Sequence, residues 1–199
     1  MDILHTLAMG SGAAWASGFR LYAVVFFAGL LSRLHWLVLP GKLEILTNPW
    51  VMGFAGVLAL VEFLADKIPA VDSAWDAAHT FIRIPAGALL AAAALGDAHP
   101  GVIALAGLAG GTLATTSHTA KASGRALVNT SPEPFSNIAT SVAEEVTVVG
   151  GLWLAVAHPI LFSIFLAAFL IVSIWFTAKM WSLFRRILRK FSTPSGPPR

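Results

Sequence analysis

Residues 62–83 read EFLADKIPAVDSAWDAAHTFIR, and the reading of this stretch decides the fold. It carries Glu62, Asp66, Asp72 and Asp76, four of the ten carboxylates in the chain, between two apolar runs long enough to enter a bilayer. A second polar stretch, residues 118–145, lies between two more apolar runs and holds Glu133, Glu144 and Glu145. Seven of ten carboxylates therefore fall in two segments of a chain that is 57% hydrophobic and only 12% charged. Ionisable groups beside or inside membrane spans are costly, so they mark a pathway, a site or a paired network.

A mean hydropathy of +0.77, with apolar runs along all 199 residues, lies outside the soluble range. The expectation is an all-α polytopic membrane bundle of about six transmembrane helices, some short or broken. The division expected is one transmembrane domain over 1–191 and a disordered, Pro-rich cytoplasmic tail over 192–199. The first run lacks the basic leader of a cleaved signal peptide and is read as a retained span. Lys179, Arg185, Arg186, Arg189, Lys190 and Arg199 crowd the last 21 residues and read as a cytoplasmic anchor on anionic membrane lipid. No basic patch with interleaved aromatics occurs elsewhere, so no nucleic-acid partner is expected. The absence of cysteine removes disulfides, thiolate metal sites and cysteine nucleophiles.

The spans expected are 15–34, 49–65, 72–95, 102–129, 135–157 and one opening at Pro159. Ile68-Pro69-Ala70 ends the second. In the third, the apolar part is the twelve residues 84–95, short of the roughly 20 that lipid demands, so residues 72–83 must be buried in protein or line a polar cavity. The fourth repeats this in reverse, with its apolar half first. Six spans would put both termini on the cytoplasmic side. Ala16-Ser17-Gly18 and Ala122-Ser123-Gly124, each with an Arg just beyond, suggest a three-plus-three inverted repeat. The tryptophans read as interface anchors, Trp75 excepted because it lies among the charges.

Helical spacing groups the polar residues by face. Asp72, Asp76, His79 and Arg83 share one face of the third helix, and His118, Lys121, Arg125 and Asn129 one face of the fourth. Glu62 and Asp66 share the end of the second; Asn137, Ser141 and Glu144 or Glu145 share the fifth. Four stripes near one membrane side would make a single polar core. Three readings compete for it. One is a buried ion-pair network that sets helix register, as in a structural or assembly subunit. Another is a pathway for an ion, a proton-coupled small solute or a lipid head group. The third is a membrane-embedded enzyme acting on phosphorylated lipid-like substrates, with a divalent metal on Asp72, Asp76 and His79 and phosphate on Lys121 and Arg125. No diagnostic metal motif, phosphate loop or nucleophile elbow is present, so no cofactor is expected and the pathway is preferred. Six short spans enclose little cavity, which favours a homo-oligomer.

Residues 62–83, with HTAKASGRALVN at 118–129 and NTSPEPFSN at 129–137, closely resemble the bacterial membrane family known as domain of unknown function 4126. The resemblance runs from the first span to the end of the sixth and implies a bacterial inner-membrane protein. It brings no settled activity. The residues of this chain that fit its motifs include Glu62, Asp66, Lys67, Asp72, Trp75, Asp76, His79, Arg83, His118, Lys121, Arg125, Asn129, Glu133, Ser136 and Asn137. This chain inserts Ile84 between Arg83 and Pro85, where many relatives run Arg-Pro directly.

Overall fold

The computed structural model describes residues 2–128 and 134–192. Among them the chain is helical without strands: α1 (Ile3–Arg33), a 3₁₀ helix (Gly41–Thr47), α2 (Pro49–Ala65), α3 (Pro69–Ala94), α4 (Pro100–Val128), α5 (Pro134–Ala157) and α6 (Pro159–Ser192). Every helix from α2 onward begins on a proline. Proline suits the first helical position because its missing N–H has no intrahelical partner there and its φ is already helical. Asn48 completes the start of α2 by accepting from the Trp50 N–H at 2.9 Å. His99 does the same for α4, its Nδ1 accepting from the Gly101 N–H at 3.2 Å.

By length and composition α1, α3, α5 and α6 can each cross a membrane. The 3₁₀ helix and α2, bent by 72° at their junction, could together make a fifth span. α4 does not qualify, which fits its polar second half. The outer surface is apolar, with Trp50, Phe54, Phe81, Leu89, Leu108, Val146 and Ile171 all largely exposed. So large an apolar surface needs lipid or protein against it.

α1 is the centre of the bundle and packs against every other element. It is not one straight span from Trp15. It starts at Ile3 and breaks at Arg20, whose φ of −148° and ψ of 76° lie outside the helical range. The first arm packs closely on α3 and α4: a Cβ on Gly10 would sit 2.8 Å from the Ala94 Cβ, and one on Gly18 would sit 2.9 Å from the His118 backbone nitrogen. The second arm runs back along α2, with Phe26 at Gly56 and Gly29 against Leu46 and Met52. Leu46 lies in the last turn of the 3₁₀ helix, whose Gly41 rests on the Ala93 and Ala94 carbonyls. Both arms thus reach the end of the bundle where α3 stops and α4 starts, and Arg20 sits where the chain turns back. Arms of 17 and 13 residues are about 25 and 20 Å long, each shorter than a hydrocarbon core.

Trp15 is not an interface anchor. It is fully buried, edge-on to Phe19, Phe162, Phe165 and Phe169, and joins the break in α1 to α6. Pro85 falls within the continuous α3.

Candidate functional site

The spacing predicted for α3 holds. Asp72, Asp76, His79 and Arg83 are all buried, as are His118, Lys121 and Arg125 on α4, Glu62 on α2 with Asp66 at its C-cap, and Asn137, Ser141 and Glu144 on α5. The stripes meet. Arg83, with no exposed surface, reaches Glu62 at 2.5 Å through one nitrogen and Asp76 at 2.6 Å through another. Lys121 lies 3.2 Å from Asp76 and 3.6 Å from Asp66, and donates to the Phe19 carbonyl at 3.4 Å. Arg125 holds Glu144 in a bidentate pair at 2.9 Å and 2.9 Å, the strong planar geometry available to guanidinium and carboxylate. Its remaining nitrogen reaches the Asp66 carbonyl and the Asn137 side chain, each at 3.4 Å.

Arg20 was not among the residues singled out on spacing, yet it belongs to the centre. Its guanidinium lies 2.5 Å from Asp66 and donates to Ser141 at 3.0 Å. At the rim it lies 3.4 Å from the partly exposed Glu145. The break in α1 is thereby explained. The turn frees the Phe19 carbonyl, Lys121 donates to it, and Arg20 is carried into the acidic cluster. Irregular backbone at this depth persists only where protein satisfies it.

Around these ion pairs lie weaker polar contacts. His118 meets Thr80 Oγ1 at 2.7 Å and Arg83 at 3.3 Å. His79 bonds the Trp75 carbonyl at 2.8 Å, stacks on the Trp75 ring at 4.1 Å and meets Tyr22 edge-on. Lys67 is at the rim, 3.3 Å from Ser141 and over the Phe63 ring. Asn129 and Glu133 lie outside the described residues, as does the 193–199 segment of the expected tail.

The divalent-metal set does not assemble. Among the described residues no three His, Asp or Glu side chains are arranged to hold a metal ion. Asp76 is held by Arg83 and Lys121, and His79 by Trp75. Lys121 and Arg125 are likewise turned onto carboxylates and are not poised for phosphate.

Among the described residues, five buried carboxylates, Glu62, Asp66, Asp72, Asp76 and Glu144, face four buried Arg and Lys side chains, Arg20, Arg83, Lys121 and Arg125, with the imidazoles of His79 and His118 beside them. Asp72 and Asp76 open onto a cavity of about 200 Å³ between α3 and α4. From Asp72 to Arg83 the network runs about 16 Å along α3. Beyond Arg83, small residues close the bundle: a Cβ on Gly87 would meet Ala114 and Ser17, and one on Gly110 would meet Ala91 and Gly87.

No curated protein and no solved structure matches the chain. A family model described as Domain of unknown function (DUF4126) matches residues 7–179 and so takes in all five helices that contribute to this network. The protein belongs to the DUF4126 family.

Proposed function

We propose that this is an integral membrane transporter or channel-like protein that moves a cation or proton through the buried network. The observation that carries the reading is the surplus carboxylate: among the described residues, five buried acids against four Arg and Lys side chains, with neutral imidazoles beside them, in a bundle with an apolar exterior. A network serving only to fix helix register would be expected to balance, because an uncompensated buried charge is strongly destabilising. The polar half reaches from one end of the bundle to about mid-depth, and small-residue packing seals the other half. That is the shape of one state of an alternating-access carrier rather than of an open pore. The discontinuity of α1 at the site supports it, since broken helices recur at ion sites in carriers.

The enzyme reading loses its support, since its metal ligands do not converge and its phosphate-binding bases are occupied. For topology we propose five crossings, α2 to α6, with α1 as a re-entrant helical pair. This places Ile3 and the end of α6 at opposite ends of the bundle, in place of six spans with both termini cytoplasmic. The structural reading is favoured by one observation, that each base has a carboxylate partner.

Asp76→Asn separates the two. Arg83 keeps Glu62, and Lys121 keeps Asp66, so the variant should fold and lose ion flux in reconstituted vesicles. Loss of folded protein, with flux per folded molecule unchanged, would make the network structural.

A further inference from the structure

Pairing each base with its nearest carboxylate not already taken leaves one acid over. Arg83 takes Glu62 at 2.5 Å, Arg20 takes Asp66 at 2.5 Å, Arg125 takes Glu144 at 2.9 Å and Lys121 takes Asp76 at 3.2 Å. Asp72 remains. Among the described residues its one ion-pair neighbour is the Arg125 Nε at 3.7 Å, whose hydrogen is already donated to Glu144. Asp72 has no exposed surface, no N–H or basic group donates to either of its carboxylate oxygens, and the side chain it meets is another carboxyl, Asp66. It lines the cavity between α3 and α4 with Asp76, Thr80, His118 and Arg125. A buried carboxylate left without partners costs several kcal/mol, so something positive is required there.

We propose that the Asp72 cavity is a binding site for a single positive charge, a proton or a small monovalent cation. The proposal rests on the transport reading and names the charge and place of its cargo. Arg125, the one Lys or Arg lining the cavity, already gives four of its five N–H groups to Glu144, Asp66 and Asn137, which leaves little for an anion. A divalent ion would exceed the one surplus charge and lacks a converging ligand set. A volume of about 200 Å³ leaves room for a monovalent ion with several waters, each of which takes roughly 30 Å³ in the liquid. The groups that face it are Asp66 from α2, Asp76 from α3, and His118, Lys121 and Arg125 from α4, with Glu144 of α5 behind Arg125.

The test is thermal unfolding of the purified full chain in mild detergent. Wild type, Asp72→Asn and Ala77→Leu, which adds bulk to the cavity wall without removing a charged side chain, are titrated with Na⁺, K⁺ or NH₄⁺ against N-methylglucamine at constant ionic strength, and over pH. If an inorganic cation is the occupant, wild type shows a saturable rise of roughly 5 °C with one of these ions. Both variants lose that rise, and Asp72→Asn is at least as stable as wild type without the ion. If the occupant is a proton, no ion acts, wild type gains stability on acidification, and Asp72→Asn does not. The proposal is overturned if Asp72→Asn retains the ion response, or if its pH response persists and instead disappears in His118→Gln. It is also overturned if wild type responds to neither ions nor pH. A response at Asp72 without flux in vesicles would leave this site standing and reject transport.

Discussion

Replacing Arg83 by Met tests whether the network is as desolvated as its geometry implies. The guanidinium bridges Glu62 at 2.5 Å and Asp76 at 2.6 Å, and neither Arg83 nor Glu62 has exposed surface. The loss falls unequally on the two acids. Asp76 keeps Lys121 at 3.2 Å, whereas Glu62 keeps no base in contact, and its second oxygen already lacks a hydrogen-bond partner. Orphaning a buried ion costs about 3–5 kcal/mol, against less than about 1 kcal/mol for a solvated pair. For a chain of this length the larger figure lowers the unfolding midpoint by roughly 10 °C. Arg83→Met/Glu62→Gln removes the stranded charge as well and should recover most of the loss, because a neutral replacement of a buried pair is often tolerated. Tryptophan fluorescence during thermal unfolding in detergent reads both, since neither variant alters a tryptophan. A single variant within about 0.5 kcal/mol of wild type, or a double variant no better than the single, would refute the reasoning by showing Glu62 to be hydrated.

Two further predictions concern the packing that holds the site. Trp15→Ala removes the side chain joining the break in α1 to α6, and should cost about 3–5 kcal/mol in thermal unfolding followed by far-UV circular dichroism, with Trp15→Phe recovering part of it. Gly18→Ala places a methyl against Ser117, the Ala114 carbonyl and the His118 nitrogen where the first arm of α1 crosses α4. That overpacking should cost about 1–3 kcal/mol, while Gly53→Ala, whose added carbon meets nothing within 4 Å, should be neutral.

Much of the site was legible in the sequence because helical spacing and composition are local. Residues four and three apart must share a face, so the stripe from Asp72 to Arg83 and that from His118 to Arg125 could be read directly. In so apolar a chain they had to face inward. From α2 onward each helix starts within three residues of the expected position, at Pro49, Pro69, Pro100, Pro134 and Pro159. Arg20 was not legible, and nor was the turn it makes. Phe19-Arg20-Leu21 carries no proline or glycine, so nothing local marks a break there. What stabilises the irregular backbone is Lys121 at the Phe19 carbonyl and Asp66 at the guanidinium, partners 102 and 46 residues away in sequence. One signal was available. Arg20 is the one charged residue between Asp2 and Arg33, in a run rich in Gly, Ala and Ser that lets backbones approach closely. Trp15 was misread for a related reason. The amphipathic ring suits an interface and a core equally well, and only the first arm's place at the centre of the bundle decides between them.

The sign of the charge that crosses the membrane tests the central claim most directly. Capacitively coupled currents from reconstituted protein, recorded as single ions are exchanged at fixed osmolarity, give that sign. We expect a current carried by protons or one monovalent cation, insensitive to replacement of chloride by gluconate and absent in Asp72→Asn. A current that follows the anion, or none from wild-type protein whose network is shown intact by its response to Arg83→Met, would contradict the account.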